Sequence, residues 1–232
     1  MKIAIIVAMQ KELHLLLGRM GHDIRLVTFE DHPYYFGTLG GHNIIATTCG
    51  IGKVNAALAT DTLIRNFSPE LVINTGVAGG VGADGVKVLD VVWGERVAYH
   101  DVWCGPGTQW GEAAGCPLYF HSDDTLIAPG TLESIPSLRK GLICSGDIFV
   151  SRVEEVDAIR SRFPDVLAVD MESAPVMQTC YKHRIPVMVA RVISDTPGSD
   201  DNISQYESFW EDAPRESMDA ITAILENISP KA

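Results

Sequence analysis

The stretch Leu167-Ala168-Val169-Asp170-Met171-Glu172-Ser173 decides how this chain is interpreted. The apolar residues 166 to 169 predict an interior strand of a parallel sheet, and two carboxylates follow them at once. Ligands of open α/β sheets bind at the carboxyl ends of strands, so Asp170 and Glu172 are candidate site residues. Alternatively, Glu172 simply begins the helix predicted for Glu172–Lys182, because acidic residues are favoured in a first helical turn.

Composition and charge restrict the class of protein. The 232 residues are 46% hydrophobic and 21% charged, which is typical of a soluble globular protein and suits one α/β domain over residues 1–232. The formal net charge of −12 would repel a phosphate polymer, and the lysines and arginines form no cluster. We therefore expect no binding to nucleic acid or to a membrane, whereas a small neutral or zwitterionic ligand is compatible with this charge.

The cysteines and histidines do not have the spacing of a metal site. The five cysteines lie far apart and form no C-x-x-C pair, and the seven histidines include no H-E-x-x-H. The apolar run Ile3–Ala8 is too short for the hydrophobic region of a signal peptide. We expect reduced thiols, no metal site and a cytoplasmic protein.

Apolar runs alternate with amphipathic segments, which predicts an α/β fold. Further buried strands are predicted at Ile3–Ala8, Leu71–Thr75, Val91–Ala98 and Pro186–Ile193. Arg25–Glu30 and Tyr34–Leu39, with the turn signal Gly40-Gly41, predict an antiparallel hairpin before strand Asn43–Cys49, and hence a mixed sheet. Near the C-terminus, an apolar helix stripe predicts core packing rather than a cofactor site; it comprises Met218, Ile221, Leu225 and Ile228.

Two glycine-rich segments follow predicted strands. Gly50-Ile51-Gly52-Lys53 lacks the spacing of a phosphate-binding P-loop, and Val54 stands where such a loop has Ser or Thr. Gly76-Val77-Ala78-Gly79-Gly80 is predicted to be a turn with almost no side chains. The glycines either let a ligand or a strand approach the backbone closely or serve tight turn packing alone.

Chemically active residues follow several predicted strands. Four strand ends should bring Gly76–Gly80, Phe149–Val150, Met171–Glu172 and Asp195 to one edge of the sheet, with Glu12 beside them after the first strand. Taken alone, Glu12 could be an exposed acid in a first helical turn. Three carboxylates and an aromatic ring around a glycine-lined cleft, without a Ser/His/Asp or Cys/His pairing signal, indicate acid/base chemistry on an organic ligand.

Seven blocks occur in a recognisable order. They are M-K-I-x-I-I-x-A-M-x-x-E at Met1–Glu12, C-G-I-G-K-V-x-A-A at Cys49–Ala57, N-T-G-x-A-G-G at Asn74–Gly80, Y-H-D at Tyr99–Asp101, S-G-D-x-F at Ser145–Phe149, M-E at Met171–Glu172 and R-x-I-S-D at Arg191–Asp195. On these blocks nearly the whole chain resembles the 5'-methylthioadenosine/S-adenosylhomocysteine nucleosidases of the nucleoside phosphorylase-like superfamily. The resemblance implies three layers, with a central mixed twisted sheet flanked by helices.

The resemblance also implies catalytic roles. Asp195 would be the general acid that protonates adenine at N7, Glu12 the base or anchor for the attacking water, and Glu172 the ligand of the ribose hydroxyls. Adenine leaves poorly as an anion and the sugar becomes oxocarbenium-like, so acid, base and cation stabiliser are separate tasks. An aspartate that acts as an acid near neutral pH needs a raised pKa, which burial can supply.

Substrate contacts are implied in the same way. Phe149 would stack on the purine, the backbone of Val150 would bind its polar edge, and Arg191 would orient Glu12 or the water. The other expected contacts are Met9, Ile51, Val77, Gly79, Met171, Ser194 and Tyr206. No cofactor is implied, and the segment Trp103–Pro117 resembles the family segment that reaches the neighbouring subunit's site, which implies a homodimer.

Two residues depart from the family pattern. Asp170 stands where the family has Glu, and Val77 replaces the Ser of N-T-G-S-A-G-G. Both changes leave the expected acid, base and ribose ligand in place. The side chain of Val77 cannot hydrogen-bond water or sugar, which bears on the group carried at the 5' position of the substrate.

Three other functions are compatible with parts of this pattern. A phosphorylase of the superfamily would need cations around its phosphate, but Asn74–Gly80 contains no Arg or Ser and Glu12 is acidic. An aminodeoxyfutalosine or futalosine hydrolase would differ only at the 5' end of the substrate, and the sequence does not separate it. A non-catalytic nucleoside-binding protein would be expected to lack one of the three carboxylates, all of which are present.

Overall fold

The computed structural model describes residues 1–82, 85–212 and 216–229. The strands in these ranges are β1 (Lys2–Val7), β2 (Arg25–Phe29), β3 (His32–Leu39), β4 (His42–Thr48), β5 (Leu71–Gly80), β6 (Val91–Tyr99), β7 (Phe120–His121), β8 (Leu138–Ser145), β9 (Val166–Asp170) and β10 (Val187–Asp195). The α-helices are α1 (Gln10–Leu17), α2 (Lys53–Phe67), α3 (Thr131–Ser134), α4 (Val153–Arg162), α5 (Ser173–His183), α6 (Asn202–Asp212) and α7 (Glu216–Glu226). No helix in these ranges is long and apolar enough to span a bilayer.

The strands form one mixed sheet in the order β10, β6, β8, β9, β5, β1, β4, β3, β2, with β7 beside β6. The predicted hairpin is confirmed, since β2 and β4 both run antiparallel to β3. Strand β5 also pairs in parallel with β10 and antiparallel with β9. Strands β5, β10, β6, β8 and β9 therefore close into a ring, a feature that the sequence did not predict.

Helices cover both faces of the sheet, which confirms the predicted three layers. In β1, Ile3, Ile5 and Val7 belong to a core shared with α1 and α7. Ala4 and Ile6 belong to the opposite core, shared with α2 and α5. This alternation follows from the two-residue period of a strand. The apolar stripe predicted near the C-terminus lies in the first core.

The turn predicted at Gly76–Gly80 is wrong, because β5 continues to Gly80. The backbone stays extended there because β10 pairs with it, with Arg191 opposite Gly76 and Asp195 opposite Gly79. Glycine is nevertheless required at position 76. Its φ is +136°, and a Cβ atom would lie 2.3 Å from Oε1 of Glu12. The close neighbour of this backbone is thus a carboxylate from α1.

Candidate active site

One cavity lies where β1, β5, β9 and β10 end, and twelve of the thirteen predicted site residues line it. The three carboxylates among them are Glu12, Glu172 and Asp195. Four more are Met9, which follows β1, Ile51, which follows β4, and Val77 and Gly79, which lie in the last part of β5. The remaining five are Phe149, Val150, Met171, Ser194 and Tyr206. The predicted convergence of strand ends is therefore present in the fold.

Glu12 is held rigidly by backbone groups. It is 2% exposed. The amides of Ala8 and Met9 donate to its Oε2 at 2.8 and 2.9 Å, and the amide of Val77 donates to Oε1 at 3.0 Å. Burial raises its pKa, while the charge of Arg191 and these three hydrogen bonds act in the opposite direction. Glu12 is therefore a buried carboxylate at the cavity and not the exposed helix-turn acid of the alternative interpretation.

Glu172 precedes α5 but does not cap it. Its side chain makes no capping hydrogen bond to that helix. Instead, Oε1 accepts a hydrogen bond of 2.9 Å from the amide of Gly52, at the start of α2. Burial raises the pKa of Glu172 to about 7, with Asp170 adding to the rise and Arg191 opposing it. This geometry favours the site interpretation of Glu172 over the helix-start interpretation.

Asp195 is the last residue of β10 and is 3% exposed. Its Oδ1 lies 2.5 Å from Oγ of Ser194, and its Oδ2 lies 2.5 Å from Nδ2 of Asn202. Burial raises the pKa of Asp195, and both hydrogen bonds lower it. A buried carboxyl with a raised pKa can hold a proton at higher pH than an exposed aspartate, as a general acid requires.

Arg191 differs from the other predicted contacts because it does not line the cavity. Its guanidinium is completely buried and pairs with Oδ2 of Asp170 at 2.7 Å. It also donates to Oδ1 of Asn74 at 2.6 Å, to the carbonyl of Thr75 at 2.8 Å and to Oγ of Ser173 at 3.1 Å. The structure thus places Arg191 behind the carboxylates and not in contact with the cavity.

Aromatic side chains form one wall of the cavity. Phe149 and Tyr206 meet edge to face with ring centroids 5.5 Å apart, and the hydroxyl of Tyr206 lies 3.4 Å from Sδ of Met9. Phe149 is 47% exposed, so its ring has a face free for a planar ligand. An apolar aromatic wall in a cavity that also contains buried carboxylates suits a heteroaromatic base attached to a polar sugar.

The charged side chains among the described lining residues are all carboxylates. Among these, the lining contains no lysine or arginine side chain. No group of three or more His, Cys, Asp or Glu residues in the described ranges is arranged to hold a metal ion. The lining can therefore donate or accept protons, but it does not attract an anion.

The family follows from comparison with known proteins. Residues 2–228 match the model of the phosphorylase superfamily. A 5'-methylthioadenosine/S-adenosylhomocysteine nucleosidase from Anoxybacillus flavithermus is 36% identical over 234 residues, covering 99% of this chain and 100% of the relative. The chain belongs to this nucleosidase family.

Solved structures of these nucleosidases have the same fold. The nucleosidase from Streptococcus pneumoniae with the transition-state inhibitor MT-ImmA has a TM-score of 0.90 and 35% identity, covering 98% of this chain and 99% of that one. The nucleosidase from Neisseria meningitidis with methylthio-immucillin-A has a TM-score of 0.90 and 36% identity, at 98% and 99% coverage. A futalosine hydrolase from Helicobacter pylori is less similar in sequence, with a TM-score of 0.88 and 26% identity, at 98% and 99% coverage.

The two departures from the nucleosidase pattern have different surroundings. Asp170 is 8% exposed and is engaged by Arg191, by Oγ of Ser145 at 2.5 Å and by Ser173. Its shorter side chain therefore serves an internal network. Val77 lines the cavity, and its contact with Glu12 is made by its backbone amide, which donates a hydrogen bond to Oε1. The apolar side chain of Val77 is the departure that a substrate would meet.

Asn202 was missed by sequence reasoning. It follows Asp200-Asp201 at the start of α6, where an asparagine ordinarily indicates a helix cap. The contact of Asn202 with Asp195 depends on the fold of the connection between β10 and α6. No local sequence pattern predicts this contact.

Proposed function

We propose that this protein hydrolyses the N-glycosidic bond of 5'-methylthioadenosine and S-adenosylhomocysteine, which releases adenine and the 5-substituted ribose. 5'-Deoxyadenosine is a third candidate substrate. The observation that carries the proposal is the placement of Glu12, Glu172 and Asp195 around one aromatic-walled cavity whose described lining contains no lysine or arginine. The chemistry needs an acid for the base, a partner for the sugar and a base for water, and the cavity offers a carboxyl group for each.

Asp195 is the proposed general acid. As the bond between N9 and C1' stretches, the proton on Asp195 passes to N7 of adenine, so the base leaves neutral while Asp195 becomes a carboxylate. The raised pKa of Asp195 supports this role because burial favours the protonated carboxyl relative to that of an exposed aspartate. Phe149 would stack on the purine, and the backbone of Val150 would bind its edge.

Glu12 is the proposed base. Its Oε2 already accepts two hydrogen bonds from backbone amides, and its Oε1 accepts one. A carboxylate oxygen has two acceptor positions, so Oε1 keeps one of them for a water molecule. The three fixed amides orient this position, and the buried carboxylate takes the proton of the water as it attacks C1'.

Glu172 is the proposed ligand of the ribose hydroxyls. The amide of Gly52 occupies one acceptor position of Oε1, and Oε2 has no hydrogen-bond partner among the described residues. An ionised Glu172 would also stabilise the positive charge that develops on the sugar. Met171, Ile51, Met9 and Tyr206 would enclose the sugar and its 5' group.

We expect hydrolysis to be independent of phosphate, because an anion in the cavity would meet carboxylates and, among the described lining residues, no lysine or arginine side chain. The test is to incubate 5'-methylthioadenosine with the protein at increasing phosphate concentrations and to identify the sugar product. Free 5-methylthioribose at a constant rate is the expected result. A ribose-1-phosphate derivative, formed at a rate that rises with phosphate, would contradict it.

Rates of cleavage of a panel of nucleosides distinguish the proposed nucleosidase from a futalosine hydrolase. Release of adenine from 5'-methylthioadenosine, S-adenosylhomocysteine and 5'-deoxyadenosine should be faster than cleavage of futalosine or aminodeoxyfutalosine. A clear preference for either of the last two would replace the proposed substrates but retain the acid and base. The apolar side chain of Val77 makes this panel informative for the 5' group.

We also propose a homodimer. Val54 and Leu58 lie four residues apart on α2 and are 69% and 64% exposed, and Trp103 of the Trp103–Pro117 segment is 53% exposed. Trp103 stacks on Trp110 with ring centroids 6.1 Å apart, so this segment presents a preformed aromatic surface. Exposed apolar surface of this kind typically marks an interface.

Leu58→Glu is therefore expected to convert the dimer into monomers, because it places a charge in the apolar contact. Sedimentation velocity measures the change. Leu26→Glu is the matched control, since Leu26 is 54% exposed on β2, which is an edge strand of the sheet. If the unmodified protein sediments as a fully active monomer at nanomolar concentration, or if Leu26→Glu dissociates it equally, the proposed interface is wrong.

Cellular placement is proposed as well. All five cysteines are free thiols, which supports a reducing compartment such as the cytoplasm. The proposed substrates place the reaction in methionine salvage and nucleoside catabolism. No cofactor takes part in the proposed chemistry.

A further inference from the structure

Asn202 is a buried residue beside Asp195 that has no role in the proposed reaction so far. It is 2% exposed, and its Nδ2 lies 2.5 Å from Oδ2 of Asp195. Its own Oδ1 is buried without a hydrogen-bond partner among the described residues. An unsatisfied buried oxygen is destabilising, so the amide occupies this position at a cost to the stability of the fold. The N–H of Asn202 contacts Asp195, so we expect a compensating effect of this contact on Asp195.

We propose that Asn202 is a positioning residue for glycosidic cleavage, whose amide N–H stabilises the carboxylate that Asp195 becomes when its proton passes to the purine. This inference rests on the proposed role of Asp195 as the acid. In the step, the O–H bond of Asp195 breaks as the N7–H bond forms, and the electron pair of the N9–C1' bond remains with adenine. The negative charge left on Asp195 lies between Oγ of Ser194 and Nδ2 of Asn202.

The contact is worth more during the reaction than before it. A hydrogen bond to an ionised group is roughly twice as strong as one between neutral groups. While Asp195 holds its proton, the N–H of Asn202 meets a neutral carboxyl, and as the proton leaves, the same N–H meets a developing carboxylate. An interaction that strengthens toward the transition state raises kcat, whereas one of constant strength changes only binding.

Helix α6 joins this contact to the cavity wall. Asn202 is its first residue, and Tyr206, one turn later, lines the cavity against Phe149. The connection from β10 is tied down by Gln205, whose Oε1 accepts a hydrogen bond of 2.8 Å from the amide of Thr196. The position of α6 therefore sets the acid and the aromatic wall together.

The titration of Asp195 makes the role measurable. Glu12 and Glu172 face the same cavity from the segments after β1 and β9, and Tyr206 faces it from α6. Asp200 and Asp201 in the connection to α6 are exposed. None of these groups is altered chemically when Asn202 is replaced.

Loss of the N–H of Asn202 removes an interaction that lowers the pKa of Asp195, so the pKa of Asp195 rises. Because the acid must be protonated to work, activity is lost as pH rises through this pKa, and the loss moves to higher pH in the variant.

The variant to test is Asn202→Leu, because the leucine side chain is similar in size to that of asparagine and has no hydrogen-bond donor. We expect kcat for 5'-methylthioadenosine to fall by about 10- to 100-fold, as for a lost hydrogen bond to a charged group, with little change in KM. The alkaline fall in kcat/KM should move to higher pH. Hydrolysis of a 4-nitrophenyl 5-methylthioriboside, whose leaving group needs no proton, should keep its wild-type rate and shows that the variant is folded.

Two further variants complete the test. Asn202→Asp places a like charge beside Asp195 and should also move the alkaline fall to higher pH. Ser208→Ala removes an exposed hydroxyl of α6 that donates to the carbonyl of Gln205 and does not touch Asp195, and it should keep the wild-type kcat and pH profile.

The inference is overturned if Asn202→Leu keeps the wild-type kcat, if its alkaline fall does not move, or if both substrates slow equally, since each result assigns Asn202 a merely structural role. Failure of the proposed function is a different result. In that case Asp195→Asn itself would keep its activity on adenine nucleosides. An inactive Asp195→Asn combined with a wild-type Asn202→Leu would reject the role of Asn202 alone.

Discussion

Asp195→Asn should lower kcat on adenine nucleosides by about 10²- to 10⁴-fold, the contribution typical of a positioned general acid. The amide retains the shape of the carboxyl group and can still donate a hydrogen bond to N7, but it has no acidic proton to transfer. Binding of the substrate should therefore stay near the wild-type value. Steady-state release of adenine, combined with a direct binding measurement, separates the two effects.

Comparison with the other carboxylates makes this prediction specific. A substrate with a better leaving base needs the acid less, so it should restore the rate of Asp195→Asn but not that of Glu12→Gln, which lacks the base for water. Glu172→Gln should instead impair ribose binding and cation stabilisation together. If Asp195→Asn kept near wild-type kcat, or if the activated substrate restored both variants equally, Asp195 would not be the acid.

Arg191→Met should lower the free energy of unfolding by about 3–5 kcal/mol, the effect of removing one partner of a buried ion pair. The guanidinium and the side chain of Asp170 are 0% and 1% exposed. Methionine fills much of the volume but leaves the charge of Asp170 without compensation, and it also removes the donors to Asn74 and Thr75. Chemical denaturation monitored by circular dichroism measures the loss.

Arg65→Met is the matched control for this prediction. Arg65 pairs with Asp61 one turn away on α2, where the two side chains are 66% and 39% exposed. Solvent screens that pair, so its removal should hardly change the unfolding midpoint. Adding Asp170→Asn to Arg191→Met should restore part of the lost stability. Equal effects of Arg191→Met and Arg65→Met would show that the buried pair does not stabilise the fold.

Much of the site could be predicted because chain order and sheet geometry are linked. Apolar runs that end in Glu12, Glu172 and Asp195 are local patterns. The carboxyl ends of the parallel strands β1, β5 and β10 meet at one edge of the sheet. Strand β9 reaches the same place because its last residues pair antiparallel with the end of β5. The resemblance to the nucleosidases then supplied roles for these residues. The predicted elements mostly differ from the observed ones by one or two residues at their ends.

The remaining features depend on contacts between distant segments. Gly76–Gly80 looked like a turn because glycine weakens isolated strands, but pairing with β10 outweighs that local preference. The ring closes through two residue pairs only, Gly79 with Val169 and Gly80 with Ala168, which no periodicity reveals. Arg191 was expected at the ligand because its partner Asp170 could not be identified from sequence. Asn202 was missed for the same reason.

The closed ring also sets the order in which the protein can acquire its site during synthesis. Ser194 of β10 hydrogen-bonds Ala78 of β5 across 116 residues of chain. Such long loops make the pairing of β5 with β10 slow, because the entropy of closure is lost before the contacts form. Until β10 and α6 have left the ribosome, the backbone of β5 at Gly76–Gly80 has no β10 to pair with. This unpaired strand edge can capture a strand from another nascent chain. We expect a chain that stops before β10 to aggregate through this edge, with Glu12 already folded beside a strand that has no acid opposite it.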